Sequence, residues 1–505
     1  MLILLGLAIV STCAPANLAT NSPLDIETRI VRAISFAKSQ FHTVGAVSGY
    51  LHDSNDSNQL SYTEDNALVA LALASYQETH FSASYYSDLQ NAVAFVIAGQ
   101  GTDGDFYQYY NYLNGTWKYA GKFYYWNSFI LMSLGYTAFT ITSQVNSERL
   151  YWSPVVERLR SCIDAWVPSS LGPSGGVLFA SLDGRLGTDL RYQGALLMGL
   201  IYLAAYEYSW GSSTVANRYA NYAKKVAAWL YPLQEHVTSR WGYGGFYSNA
   251  TMNLQTSEEN AFAMFGLISY YKGIALLMPD QQSELGTMRD LMQIWEEGYV
   301  ESVTDPSGAV SYGRDAQGLK QYPRPTWTTS AMLADTVDVW INLGPPRFWN
   351  DSSRIYAWLT GTSGRSIDMQ SSTGSFYAEE SVAGGPLRPS DLATSMLALY
   401  AVIRTKFVKI PGTYPVSNSN PPKFTRPSSS NTTTGPQTTM SVTQVESPES
   451  TISLYYVAAG TTIVLGALVG IFALRLRRGK RRSARSSRSS KLRKRKGQRV
   501  PKLTD

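Results

Sequence analysis

After Asn260 the chain runs almost wholly apolar to Tyr271, directly behind the polar stretch from Gln255 to Glu259. An apolar run with hydrophobic residues all round its circumference predicts a buried helix. Thr256 or Ser257 can N-cap it, and Glu258 and Glu259 fall in its first turn, at the positive end of the helix dipole. The same frame recurs along the chain. A polar residue (Asn66, Asn127, Gln193, Asn260, Ser330, Thr394) precedes a small one (Ala67, Ser128, Gly194, Ala261, Ala331, Ser395) and then a long apolar run. The frames stand roughly 61 to 70 residues apart, a period that marks a repeat architecture.

Upstream of each frame lies a glycine followed by aromatic or apolar residues: Gly49-Tyr50, Gly104 to Tyr107, Gly176 to Phe179, Gly245 to Tyr247, Gly308 to Tyr312 and Gly374 to Tyr377. Short apolar runs bounded by turn residues read as small β-hairpins. Further upstream are amphipathic helices, from Ile26 to Phe41, Tyr86 to Ala98, Arg149 to Trp166, Ala216 to Leu233, Gln281 to Val300 and Arg347 to Leu359. Each repeat is therefore an outer amphipathic helix, a hairpin and an inner apolar helix. Helix packing alone also permits an open solenoid. Six units without a polar capping repeat favour closure, so the expected fold is all-α: an (α/α)6 toroid over residues 25–408 with small β-hairpins in its loops.

Composition changes at both ends of this domain. Residues 1–19 begin with an apolar stretch and pass through Ala14-Pro15-Ala16, as in a signal peptide, although a basic n-region is missing. Residues 411–450 are rich in Ser, Thr, Pro and Asn and read as a stalk. Residues 454–474 carry no charge and are long enough to span a bilayer. The basic tail, 475–505, places itself in the cytoplasm by the positive-inside rule and suits anionic lipid headgroups. The expected product is a single-pass type I protein of the cell membrane with its toroid outside. The net charge of +6 is concentrated in that tail, so nucleic-acid binding is not implied. Sequons at Asn55, Asn114, Asn249, Asn350 and Asn431 would accept glycans on an exported chain. Cys162 is the one cysteine of the toroid, which excludes an internal disulfide and a cysteine-based zinc site. His42, His52, His80 and His236 show no ligand spacing, and no metal or cofactor is expected.

In a closed toroid the inner helices turn their N-termini to one funnel, the natural cleft. Repeats one and four carry matching acidic starts, Glu64-Asp65-Asn66 and Glu258-Glu259-Asn260, and stand opposite each other in a six-fold ring. Facing carboxyls are what glycoside hydrolysis needs. If the recurrent Asn faces the funnel, the neighbouring Asp65 and Glu259 lie nearer the axis than Glu64 and Glu258, and Asp65 and Glu259 are the leading catalytic candidates. Asp391 joins them. Trp126, Tyr192 and Trp327 are expected as stacking platforms, with Arg191 and Asp189 completing a polar ring. The bland alternative is that first-turn acids only stabilise helix starts. Abundant Tyr and sparse charge fit a carbohydrate-facing cleft, and fit an aromatic helical core equally well.

The helix pairs, the Gly-aromatic hairpins and the starts Tyr62-Thr63-Glu64-Asp65-Asn66-Ala67 and Thr256-Ser257-Glu258-Glu259-Asn260-Ala261 resemble the six-hairpin glycosidase superfamily. That group includes unsaturated glucuronyl hydrolases, endo-mannanases and N-acylglucosamine epimerases. The adjacent Asp pair of the mannanases is represented only by Glu64-Asp65 and Glu258-Glu259. The resemblance implies a carbohydrate partner and a glycoside hydrolase. A sugar-binding or envelope-scaffolding ectodomain, or a polysaccharide lyase or cyclase, uses the same cleft in the alternative readings.

Overall fold

The computed structural model describes residues 26–404, apart from 79, 81, 120, 183–184, 249–252, 278–281, 328, 331–332, 334–348, 362–367 and 383–390. Outer and inner helices alternate: α1 (Ile26–Ser39), α2 (Thr63–Gln77), α3 (Ala83–Ala98), α4 (Trp126–Gln144), α5 (Arg149–Ser170), α6 (Leu190–Trp210), α7 (Ser213–Leu230), α8 (Ser257–Leu277), α9 (Gln282–Trp295), α10 (Trp349–Leu359) and α11 (Leu392–Arg404). Between α9 and α10 the inner helix of repeat five is described only near its start, from Trp327. The two helix types bury themselves as their patterns require. Outer α7 buries one stripe, Ala216, Tyr219, Ala220, Ala223, Val226, Ala227 and Leu230. Inner α2 buries every residue from Asp65 to Gln77. Helices α6 and α8 meet backbone to backbone: a Cβ on Gly194 would stand 2.1 Å from the Phe262 carbonyl oxygen.

The recurrent polar residue is a clamp. Asn66 Oδ1 accepts from the Tyr50 N–H (2.9 Å) while its Nδ2 donates to the Tyr50 carbonyl (3.1 Å). Asn260 grips Phe246 in the same way, at 2.7 and 2.9 Å. Gln193 holds both backbone groups of Val177. Asn127 accepts from the Phe106 N–H at 3.3 Å. All four side chains are fully buried. Each satisfies peptide groups that the hairpin's own pairing leaves over, and a buried peptide group left unpaired is costly. The sixth frame is one residue later than the sequence suggests: Ser395, not Thr394, accepts from the Phe376 N–H (3.3 Å).

The ring closes. In repeat six, Gly374 (φ 102°) turns the hairpin against α1, where a Cβ would lie 2.2 Å from the Arg32 carbonyl oxygen. Gly104, Gly175, Gly244 and Gly308 press in the same way on the next outer helix, at Ser161, Lys225, Ile294 and Arg354. Only glycine takes this φ at so close an approach without strain. Gln370 Nε2 donates to the Arg29 carbonyl (3.0 Å), and Arg29 pairs with Asp368 at 2.8 Å, so repeat six is sewn onto repeat one. Aromatic side chains from non-adjacent inner helices plug the middle of the ring: Phe129 meets Phe262 at 5.4 Å and Phe265 meets Tyr400 at 5.9 Å.

The hairpins are shorter than expected and a second set of strands guards the inner-helix N-termini. Among the described residues only β1 (Phe41–Val44) and β2 (Val47–Tyr50) form a full ladder ahead of the clamp; elsewhere a single bridge such as Gln100 to Phe106 suffices. At the rim, β3 (Leu60–Tyr62) pairs with β4 (Tyr109–Asn111), which pairs with β5 (Thr116–Lys118). β6 (Phe179–Ala180) pairs with β7 (Leu186–Gly187). β8 (Leu254–Thr256) pairs with β9 (Gly313–Asp315), and β9 with β10 (Gly318–Lys320). β11 (Arg324–Pro325) pairs with β12 (Glu379–Glu380). Three of these sheets join one repeat to the next. No helix among the described residues is long and apolar enough to cross a membrane. The signal peptide, stalk, spanning segment and basic tail expected from the sequence lie outside the described residues.

Candidate active site at the funnel

The clamp settles which residues face the axis. Successive helical residues turn by about 100°, so the residue two before a clamp lies about 200° away from it. The clamp points into the hairpin, and the residue two before it points to the funnel. Those residues are Glu64, Tyr125, Arg191 and Glu258, half-buried or exposed in each case. The residues just before the clamp sit deeper: Asp65 is 3% exposed and Trp126 2%, while Tyr192 and Glu259 are half-buried. This corrects the expectation that Asp65 and Glu259 face the axis ahead of Glu64 and Glu258. That expectation assumed the clamp itself faced the funnel.

One side of the funnel centres on His52, which sequence reasoning passed over. His52 follows the strand that Asn66 clamps, and its carbonyl accepts from the Leu392 N–H (3.1 Å) at the start of α11. Its Nδ1 lies 2.7 Å from Asp65 Oδ2 and its Nε2 3.7 Å from Asp391 Oδ2. Burial works against the imidazolium, but the Asp65 hydrogen bond and the charges of Asp65, Asp391 and Asp53 outweigh it and raise the pKa to about 9. Asp65 is pushed upward by burial, against the pull of His52. Glu64 is pushed up to about 8 by burial and then by Asp65 and Asp391, with Arg191 and His52 opposing. A carboxyl with that pKa is mostly protonated at neutral pH. Asp391 also caps α11, accepting from the Thr394 N–H at 2.8 Å.

The other side centres on Arg191. It lies 3.4 Å from Asp189 Oδ2 and 3.5 Å from Glu258 Oε1. Burial opposes its charge, but Glu258 and Asp189 more than offset this and raise its pKa. Asp189 is also the N-cap of α6, accepting from the Arg191 N–H at 2.8 Å. The rings of Tyr125 and Tyr192 stack at 4.8 Å and an interplanar angle of 20°, with the Arg191 guanidinium 5.1 Å from the Tyr192 ring centre. Glu259 turns back on its own helix start, where the Thr256 hydroxyl donates to it at 2.5 Å. Thr256 and Glu259 thus form a variant of the capping box.

Two aromatic platforms are corrected. Trp126 is buried; its Nε1 donates to the Phe106 carbonyl (2.9 Å) and its ring stacks on Tyr124 at 4.3 Å. Trp327 is wholly buried, with its ring 4.9 Å from that of Phe376. Both are large apolar groups filling the joint between hairpin and helix. Tyr192 remains at the funnel, joined by Tyr125. The signal for His52 lay in Tyr50-Leu51-His52, the exit of the first Gly-aromatic hairpin, where a side chain is aimed back toward the inner helix. No group of three or more His, Cys, Asp and Glu among the described residues is placed to hold a metal ion. Cys162 is buried.

No family model and no curated protein matches the chain by sequence. Solved structures do match its shape. Cellobiose 2-epimerase from Bacillus thermoamylovorans superposes with a TM-score of 0.57 at 9% identity, over 75% of this chain and 98% of that one. A D-mannose isomerase gives 0.55 at 12% identity, over 77% and 99%. The GH76 α-mannanase of Bacteroides thetaiotaomicron gives 0.51 at 11% identity, over 76% and 95%. The chain therefore shares the (α/α)6 toroid architecture of the six-hairpin enzymes, as the resemblance in its helix starts implies.

Proposed function

We propose that this chain is a glycan-active enzyme, a glycoside hydrolase that works in the funnel, with Glu64 as proton donor and Asp391 as the facing carboxylate. One observation carries the reading: Glu64 faces the axis with its pKa raised to about 8, in electrostatic reach of Asp65 and Asp391. A neutral carboxylic acid beside a carboxylate is the pairing that glycosidic cleavage uses. Glu64 gives its proton to the departing glycosidic oxygen, and Asp391 serves the opposite face of the sugar. Asp65 acts as a positioning residue through His52, and Glu258 with Arg191 binds hydroxyls on the far wall. Tyr125 and Tyr192 offer ring faces to the sugar. That the structural neighbours are named as sugar epimerases, an isomerase and mannanases supports a carbohydrate substrate by analogy of fold.

The test is a glycan panel incubated with the purified full chain. Glu64→Gln should cost about 10²- to 10⁴-fold in turnover with the melting temperature retained. Asp391→Asn should cost a comparable factor, and Glu259→Gln much less. Binding without turnover on every glycan would replace the hydrolase by a sugar-binding domain. Unimpaired Glu64→Gln with inactive Glu259→Gln would move the chemistry to repeat four. A second reading, sugar isomerisation, is favoured by His52 standing at the funnel; interconversion of free reducing sugars, abolished by His52→Gln, would select it.

The same proposal includes a type I topology, with the toroid outside the cell. It is supported by the uncharged segment 454–474 and the basic residues from Arg475 onward. Among the sequons, Asn55 and Asn114 are exposed, each at a tight turn. Protease added to intact cells should release the toroid by cutting the stalk; a protected toroid would refute the orientation.

A further inference from the structure

We infer that the funnel takes glycans bearing free amino groups and turns away those bearing acid groups. The inference rests on the funnel being the substrate site. The cations at the starts of the inner helices are already engaged. Arg191 is shared by Asp189 at 3.4 Å and Glu258 at 3.5 Å, and His52 by Asp65 at 2.7 Å and Asp391 at 3.7 Å. Arg324, further round the rim on β11, lies 3.6 Å from Asp305 and 3.9 Å from Glu380. A uronate or sulfate reaching Arg191 or His52 therefore meets a cation already paired with two carboxylates.

The same pairs leave carboxylate in excess: Asp189, Glu258, Asp65 and Asp391 stand against Arg191 and His52. Glu258 and Asp391 each keep a large part of the side chain open to solvent, 48% and 39%. Burial raises the Tyr312 hydroxyl pKa first, and Glu259, Glu258 and Glu379 add to it against Arg191, so carboxylates of repeats four and six both reach this hydroxyl of repeat five. A cleft lined with one sign of charge between low-dielectric walls focuses that field and concentrates ligands of the other sign. An ammonium on a sugar ring satisfies both parts of the site. Its charge meets Glu258 or Asp391, and the sugar's apolar face lies on Tyr125 and Tyr192, whose ring faces also attract cations. An N-acetyl group in the same place keeps the stacking and loses the charge.

Calorimetry on the purified full chain tests this with glucosamine and galactosamine pentamers, their N-acetylated forms, and a galacturonate pentamer at pH 6.5. At low salt an amine-bearing pentamer should bind about tenfold tighter than its N-acetylated form, and the advantage should shrink as added salt shortens the Debye length. Galacturonate should bind weakest. Glu258→Gln and Asp391→Asn should each reduce the ratio of the two affinities. Equal affinity for the amine and N-acetyl forms would overturn the inference and leave the enzyme reading standing. Equal displacement of the sugar by an oligolysine of matched charge would reduce it to a nonspecific acidic surface and overturn it as well. Failure to bind any sugar, together with a silent glycan panel, would overturn the funnel as a substrate site.

Discussion

His52 Nδ1 and Asp65 Oδ2 stand 2.7 Å apart at the seam where the last repeat meets the first. The contact ties the exit of the first hairpin to the start of the first inner helix, and Asp391 approaches the same ring from the last inner helix. One imidazole thus joins the two ends of the toroid at the point where the proposed chemistry sits.

This arrangement predicts that His52 still carries its proton well above neutral pH. Its pKa of about 9 exceeds the ordinary 6.5, so its contribution to stability is fully present below about 6.5 and is lost as pH rises through about 9. Nuclear magnetic resonance of labelled histidines, assigned with His52→Gln, should show one ring titrating near that upper value. Asp65→Asn should bring the midpoint down toward the ordinary range. An unshifted midpoint in Asp65→Asn would mean that the pair does not share charge.

Glu64 predicts the alkaline limb of the activity profile. Turnover should fall as pH rises through about 8, because a general acid works only while protonated. His52→Gln removes a positive charge that lowers the Glu64 pKa, so in that variant the limb should move to higher pH. A limb that stays in place would assign it to another group.

The clamp predicts where stability is concentrated. Asn260→Ala leaves the Phe246 N–H and carbonyl without their side-chain partner in a fully buried site, at a cost of about 3 kcal/mol. Asn66→Ala should behave alike at Tyr50. Denaturant titration checks both. A change under about 0.5 kcal/mol, the range of an ordinary surface substitution, would show that the hairpin holds without its clamp.

A buried acid in repeat two predicts a pH slope. Asp105 is fully buried; its Oδ1 accepts from Asn127 Nδ2 at 2.6 Å and from the Phe106 N–H at 2.9 Å. Burial raises its pKa to about 7, above the unfolded value, so the stability it contributes is lost as pH rises through about 7. Between pH 6 and 8 this group alone accounts for roughly 1 kcal/mol. The melting temperature of Asp105→Asn should depend less steeply on pH over that window than that of the unmodified chain. Parallel slopes would show that Asp105 does not titrate there.

The sequence by itself determined the number of repeats, their order and the kind of helix in each. Burial leaves its mark on composition, and a helix such as α2, with every residue from Asp65 onward inside, has to be written in apolar letters. The direction each helix faces was decided only by the tertiary structure. An all-round apolar helix carries a period without a phase, and the phase comes from Asn66 and its counterparts gripping a hairpin backbone rather than facing the axis. That grip turned Glu64, Arg191 and Glu258 inward and Asp65 toward His52. The sixth frame slipped by one because Thr394 and Ser395 are both small and polar, so that only the bond to Phe376 distinguishes them. His52 was illegible for the same physical reason. Its partners Asp65 and Asp391 belong to the first and last inner helices, and only closure of the ring places both against one imidazole.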